Sequence, residues 1–433
     1  MKRNPSGIWP RARYVASLLL LIGAAVFAQA LPQIIQAPNP PNAAAQQDKP
    51  YVVLVSLDGF RYDYVKKYSA PNIVALAKRG ATAPDGMIPS YPSLTFPNHY
   101  AIISGLYPEH SGIVSNRFYD PERREHYVFT DRKSSDDGTW YGGVPLWSLA
   151  EQNEMRAACF FWPATGAEIA GKRPSYYLEY DASIPNDARV AQVLAWLRLP
   201  PAERPHFITL YMSDVDHAGH DHGPDSPEVA EAVKTVDAEI GKLASGIDAL
   251  HMRIDLIVLA DHGMAKVDGG WINLDQWADL SNFIADGSLL YPKTDADAEK
   301  AFESLKSASS KFHAYRRADV PAALHYNSNP REGDPVIVLT GPYLIRAHAP
   351  ILPSGQTERP PMAGEHGYDP LGMPEMKAFF LAAGPDIRNG ATLQSFENVD
   401  LYPLIAQILG LPVGKIDGDA KPLQSILKNQ KPN

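Results

Sequence analysis

Three short apolar runs, widely separated along the chain and each ending on aspartate, constrain this sequence more than any other feature. Residues 51–57 run into Asp58, residues 206–212 into Asp214 and Asp216, and residues 254–260 into Asp261 and His262. Runs of this length without polar alternation read as strands buried on both faces, as in a parallel sheet covered by helices. A fourth run of the same kind spans residues 377–383. Residues 72–78 read as a helix stopped by Gly80, and a long helical pattern covers roughly 227–250. Strands alternating with helices predict an α/β fold, a doubly wound and mostly parallel sheet flanked by helices. Residues 271–350 break that rhythm, with an acidic, Ala-rich helical pattern at 295–311 and short runs such as Val336–Leu339. They read as a smaller inserted α+β subdomain within a catalytic domain spanning 50–433. The chain has 433 residues, 45% of them hydrophobic, enough to bury such a core.

The N-terminus has a different character. Lys2, Arg3, Arg11 and Arg13 precede an apolar run over 15–27, and Ala28-Gln29-Ala30 places small residues where a signal peptidase cuts. The run is short for a membrane span, so residues 1–30 are expected to be a cleaved signal peptide. Residues 31–49, rich in Pro, Ala, Gln and Asn, read as a flexible lead-in. Cys159 is the single cysteine, which excludes an intramolecular disulfide. Export without disulfides suits a bacterial periplasm, so a periplasmic or secreted location is expected, with no integral membrane span after cleavage. Loss of four basic and no acidic residues with the leader takes the formal charge from −9 to −13. That balance argues against nucleic acid or an anionic membrane surface as a stable partner. An anionic substrate would need a local reversal of the field, which metal ions supply.

In open α/β sheets, ligands bind beyond the carboxyl ends of the strands. One aspartate there means little, since turns favour it. Three strands delivering aspartates to one edge would repel one another unless a cation joined them. His220 lies four residues past Asp216, His262 beside Asp261, and His366 in a Gly-Glu-His-Gly segment. Mixed Asp and His donors suit zinc best. Asp214 is a competing ligand, and His217 crowds the same motif.

A nucleophile is expected within residues 91–99, Tyr-Pro-Ser-Leu-Thr-Phe-Pro-Asn-His. Pro97 and Gly105 bracket an apolar stretch as the start and stop of a helix. Thr95 then lies at the helix N-terminus, where the dipole favours negative charge and a bound metal would activate a hydroxyl. Ser90 and Ser93 are rival nucleophiles by chemistry alone, and Thr95 could be a plain helix cap.

Together, Leu57-Asp-Gly-Phe-Arg61, Pro92-Ser-Leu-Thr-Phe-Pro-Asn-His99, Asp216-x-x-Gly-His220, Ala260-Asp-His-Gly-Met264 and Gly364-x-His-Gly-Tyr368 resemble the nucleotide pyrophosphatase/phosphodiesterase family. That family, the type I phosphodiesterases, belongs to the alkaline phosphatase superfamily, and the likeness runs in order from about residue 51 to 410. The resemblance implies an alkaline-phosphatase-like fold and two zinc ions. Asp216, His220 and His366 would hold one ion, and Asp58, Asp261 and His262 the other, which would also bind Thr95. It implies in-line attack by Thr95, a nucleotidyl-threonine intermediate and its hydrolysis by water. Asn116 matches the family's donor to a non-bridging phosphoryl oxygen. Phe96, Trp162, Tyr180 and Tyr211 fall where nucleotide-cleaving members place residues around the base. The expected reaction is cleavage of a nucleotide such as ATP to AMP and pyrophosphate. Phospholipid diesters, or a phosphomonoester clamped by Arg61 or Arg117, are the alternatives.

Overall fold

A computed structural model describes residues 33–267, 269–351 and 362–428. A nine-stranded sheet runs through the centre. Its strands are β1 (Ile35–Gln36), β2 (Tyr51–Leu57), β3 (Gly80–Thr82), β4 (Ala157–Phe160), β5 (Tyr176–Tyr177), β6 (Phe207–Met212), β7 (Ile254–Leu259), β8 (Phe380–Ala383) and β9 (Ala391–Thr392). They lie in the order β1-β5-β4-β6-β2-β7-β8-β3-β9. β5, β4, β6, β2 and β7 are mutually parallel. Every residue of β2 and β7 is buried, as apolar runs without alternation require. Cys159 sits buried in β4 as a free thiol.

The fourth apolar run forms a shorter strand than expected, and β8 lies antiparallel to β7, with Phe380 opposite Leu259. The chain therefore enters β8 at the edge where β2, β6 and β7 end, which brings the preceding segment to the same place. Helix α1 (Pro71–Lys78) follows β2, and Asp237 fixes its first turn by accepting from the backbone N–H groups of Asn72 and Ile73. Helices α2 (Thr95–Ser104) and α3 (Asp214–His222) start beside the carboxyl ends of the central strands. The long helix α4 (Pro227–Asp248) has Ser226 as its cap and Pro227 at its first turn.

The stretch taken for a flexible lead-in departs from that expectation in its described part. β1 pairs antiparallel with β5 as the outer strand. Asn42 is buried, donating to the carbonyls of Pro201 and Arg204 and accepting from the N–H of Arg156. Its Pro- and Ala-rich composition disfavours regular structure but does not prevent packing. The expected signal peptide lies outside the described residues.

Within 271–347, Trp271–Asn273 pairs in parallel with Leu344–Arg346 at the two ends of the segment. Between them lie a hairpin, helix α5 (Asp295–Leu305) and the antiparallel pair Phe312–Tyr315 with Val336–Leu339. The helix stops six residues before the expected 311, where Ser307 to Ser310 offer competing side-chain acceptors. Ile272, Leu290, Leu305, Phe312 and Ile337 form a small core of their own, whereas Tyr291, Tyr326 and Val336 pack into the main one.

Candidate active site

The carboxyl edge of the sheet gathers the predicted donors. Asp58 directly follows β2, and Gly59 comes next with φ of +68°. A Cβ at Gly59 would lie 2.9 Å from the Asp216 Cα, so glycine permits α3 to approach the end of β2. On α3, Asp216 and His220 are one turn apart and share a face. Asp261 and His262 follow β7, and His366 arrives on the segment that leads into β8.

Their donor atoms converge in two adjoining sets, and His262 of the second also lies within 4.8 Å of Asp216 and His366 of the first. His220 Nε2 lies 3.4 Å from Asp216 Oδ1, and His366 Nε2 lies 3.6 Å from that oxygen and 3.2 Å from His220 Nε2. In the second set, His262 Nε2 is 3.0 Å from Asp261 Oδ2, 3.5 Å from Asp58 Oδ1 and 3.3 Å from Thr95 Oγ1. Each of the three histidines has its Nδ1 engaged, 2.9 Å from a backbone carbonyl: Gly364 for His220, Gly263 for His262 and Ser93 for His366. Those bonds place the proton on Nδ1 and leave Nε2 as an available ligand. Asp58 Oδ1, Asp216 Oδ1 and Asp261 Oδ2 are buried without a hydrogen-bond partner. Buried carboxylate oxygens beside imidazole Nε2 atoms that can give up their protons fit divalent cations.

Without a cation the cluster balances its charge with protons. Burial, then Asp261 and Asp216, pushes Asp58 well above the usual carboxylate range. Asp216 rises to about 7 through burial, with His262 opposing and Asp261 adding. Burial works against a charged His262, yet Asp261, Asp58 and Asp216 outweigh it and push it up to about 10. Burial, His262 and His220 hold His366 well below its ordinary value. A bound cation must displace these protons.

Thr95 is the first residue of α2; the cap position belongs to Leu94, whose side chain caps nothing. The plain-cap reading of Thr95 is thereby replaced: its hydroxyl faces His262. The rival serines are engaged elsewhere and buried. Ser93 Oγ donates to the Tyr368 carbonyl and Ser90 Oγ to Asn398 Oδ1. Asn116 Oδ1 accepts from the Phe96 N–H at 2.9 Å, which directs its amide Nδ2 outward as a donor. Asp214 accepts from Asn186 Nδ2 and lies outside both sets, and His217 is exposed.

Sequence reasoning missed His99. It sits one turn after Thr95 on α2, with Nδ1 2.8 Å from the Thr95 carbonyl and 3.2 Å from Asp261 Oδ2, and Nε2 2.9 Å from Ser56 Oγ. The spacing of four on one helix was the available signal. Glu365 was also missed; its carboxylate lies 3.9 Å from His366 Nε2.

The four aromatics separate into two roles. Phe96 is half-buried and packs edge-on to Phe129 and Tyr127. Tyr180 is 56% exposed beside Phe161 and Tyr211. Both are open to a ligand. Trp162 is instead buried against His99, its indole N–H donating to the His99 carbonyl. Tyr211 donates its hydroxyl to Asp58 Oδ2 at 2.5 Å, with its ring against His99. These two are expected at the wall of a base pocket, and their polar ends are held at the His99 carbonyl and at Asp58 Oδ2. Arg61 is bound by Asp63 and Arg117 by Asp286.

Residues 52–369 match the family described as type I phosphodiesterase / nucleotide pyrophosphatase. A pyrophosphatase/phosphodiesterase of Schizosaccharomyces pombe is 37% identical over 390 residues, covering 85% of this chain and 78% of its own. Human ectonucleotide pyrophosphatase/phosphodiesterase family member 1 is 34% identical over 409 residues, covering 90% of this chain and 43% of its own. This chain thus spans less than half the length of that relative. Among solved structures, an inactive threonine-to-alanine variant of murine ectonucleotide pyrophosphatase/phosphodiesterase 5 in complex with AMP superposes with a TM-score of 0.80 at 28% identity, covering 88% of this chain and 100% of that one.

Proposed function

Because the chain belongs to the type I phosphodiesterase / nucleotide pyrophosphatase family, with its α/β, alkaline-phosphatase-like fold and metal-dependent hydrolytic chemistry, we propose that it hydrolyses nucleotide pyrophosphate and phosphodiester bonds at a two-zinc centre with Thr95 as nucleophile. The observation that carries the reading is Thr95 Oγ1 standing 3.3 Å from His262 Nε2, at the edge of two donor sets holding three orphaned carboxylate oxygens. Asp216, His220 and His366 would hold one zinc, and Asp58, Asp261 and His262 the other. When bound, the ions would screen the phosphoryl charge and stabilise the anionic attacking and leaving oxygens.

The chain's own residues account for the rest. Phe96 and Tyr180 accept the base on their ring faces, which holds the α phosphorus beside Thr95. The hydroxyl of Thr95 loses its proton to solvent as Oγ1 bonds to phosphorus, and the bond to the leaving oxygen breaks on the opposite side, the leaving group taking the electron pair. Asn116 Nδ2 donates to a non-bridging oxygen whose charge grows in the transition state. Water then attacks phosphorus, breaks its bond to Oγ1 and restores the Thr95 hydroxyl, releasing a nucleoside 5′-monophosphate. His99 and Tyr211 touch no reacting atom. They position α2 and Asp58.

That an inactive threonine-to-alanine variant of the murine relative binds AMP supports both the nucleophile and the product. The carboxylate partners of Arg61 and Arg117 leave neither as an unpaired clamp for a second phosphoryl charge, which disfavours a monoesterase. Export to the periplasm or medium by the leader at 1–30 completes the proposal. A substrate panel with product identification tests the reaction. ATP should yield AMP and pyrophosphate. ADP as product, or preference for lysophosphatidylcholine, would overturn the nucleotide assignment.

A further inference from the structure

Asn116 makes two bonds that face the helix bearing Thr95 and its aromatic neighbours: its Oδ1 accepts from the Phe96 N–H, and its carbonyl accepts from the Phe129 N–H at 3.1 Å. The chain on either side of it is gripped from elsewhere, by the 271–347 segment. Before Asn116, the Val114 carbonyl accepts from the Tyr326 hydroxyl at 3.0 Å, and the Gly112 carbonyl accepts from Arg331 Nη1 at 3.0 Å. Gly112 has φ of +81°, and a Cβ there would come within 2.5 Å of Arg331 Nη1, so glycine lets the guanidinium reach that carbonyl. After Asn116 comes the hairpin of Arg117–Asp120 with Glu125–Val128. In it the Tyr119 N–H donates to the Tyr291 hydroxyl at 3.1 Å, and Asp120 pairs with Arg331 at 2.8 Å.

Tyr291 and Tyr326 are both buried, so losing either hydroxyl strands a backbone group away from water. Tyr291 also donates to the Arg331 carbonyl at 2.8 Å, which ties the residues gripping Tyr119 and Asp120 to each other. Tyr326 reaches toward the nucleophile as well. Its ring packs 5.1 Å from that of Tyr91 at 88°, and the Tyr91 hydroxyl donates to the Ile337 carbonyl at 3.4 Å. Tyr91 begins the stretch that runs into Thr95. The segment therefore holds the approach to the nucleophile and both flanks of Asn116, although among the described residues none of its side chains belongs to either donor set. Such bracing bears on rate, because an amide donor must meet charge that grows only in the transition state, and a misplacement of about 1 Å can cost about a hundredfold.

We infer that Tyr291 and Tyr326 are positioning residues, whose hydroxyls hold the chain on either side of Asn116 so that its Nδ2 meets the non-bridging oxygen in the transition state. The inference rests on the reading above, in which Asn116 is that donor. Both tyrosines act through backbone groups, Tyr326 through the Val114 carbonyl and Tyr291 through the Tyr119 N–H.

The test is a double-mutant cycle on the zinc-loaded full chain, read with a nitrophenyl nucleotide diester. Tyr291→Phe and Tyr326→Phe each remove one hydroxyl and keep the ring. Together they should lower kcat about tenfold, a part of the cost of a misplaced donor, and leave KM within about twofold because the base still meets Phe96 and Tyr180. Asn116→Ala alone should lower kcat about a hundredfold or more. Adding the two Phe substitutions to Asn116→Ala should then cost less than about twofold further. A merely structural role would lower kcat by the same factor with or without Asn116, and that result would overturn the inference. So would a kcat within about twofold of wild type for the Phe pair. If the pair folds poorly, either single substitution carried through the same cycle decides by the same criteria. Unchanged kcat in Asn116→Ala would remove the donor, and this inference with it. Release of no 5′-monophosphate by wild type would instead overturn the nucleotide reading itself.

Discussion

Replacing Tyr211 by Phe separates a support for the metal centre from a wall of the base site. The substitution keeps the ring, with its contacts to His99 at 5.4 Å and Tyr180 at 6.0 Å. It removes only the hydroxyl that donates to Asp58 Oδ2 at 2.5 Å. Since Asp58 Oδ1 already has no partner, the variant leaves neither oxygen of a buried carboxylate held by that donor. A hydrogen bond to a charged group contributes about 1.5–3 kcal/mol, and 1.4 kcal/mol is a factor of ten, so zinc affinity should fall about ten- to a hundredfold. A competition titration against a chromophoric chelator measures this directly. With zinc in excess, kcat on a nitrophenyl nucleotide diester should return toward the wild-type value. Zinc affinity within about twofold of wild type would refute the reasoning. A raised KM for nucleotides with unchanged metal binding would return Tyr211 to the base site.

Phe96→Ala should raise KM for ATP well above its effect on a small nitrophenyl diester, and change kcat less, because stacking is present in ground and transition states alike; equal effects on both substrates would remove Phe96 from base binding. Asp255, buried in β7, has its pKa raised to about 8, chiefly by burial. The folded state thus keeps a proton that the unfolded chain gives up above about pH 4, so this contribution to stability is complete at low pH and is lost as pH rises through about 8. Asp255→Asn still accepts from the Asp386 N–H, and its melting temperature should fall less steeply than wild type between pH 5 and 9; parallel curves would contradict this. N-terminal sequencing of exported protein should begin near Leu31, and full-length chain confined to the cytosol would contradict the leader.

Much of the fold was legible because it depends on burial pattern. Apolar runs without alternation became the interior strands, and the aspartates ending them met at one edge, since parallel strands present the same end to the same side. The direction of β8 was not legible, because a short apolar run reads alike in both senses. The packing of residues 33–49 was hidden for a related reason: Asn42 is held by backbone groups of residues far along the chain, and composition carries no record of such partners. In the site, residue type identified the donors but not what surrounds them. Trp162 and Tyr211 are aromatic in either role, and only the positions of the His99 carbonyl and Asp58 Oδ2 show that their polar ends are occupied from below. His99 lay in plain view within the motif, yet its function depends on Ser56 and Asp261, which the fold alone brings to it.

The central claim, a covalent intermediate on Thr95, is tested most directly by acid-quenching the zinc-loaded enzyme during turnover of ATP and mapping its peptides by mass spectrometry. An adenylyl group on the peptide containing Thr95, located by fragmentation to that residue, is the predicted result. The same adduct on Ser90 or Ser93, two residues whose hydroxyls the structure commits to Asn398 and Tyr368, would contradict the account.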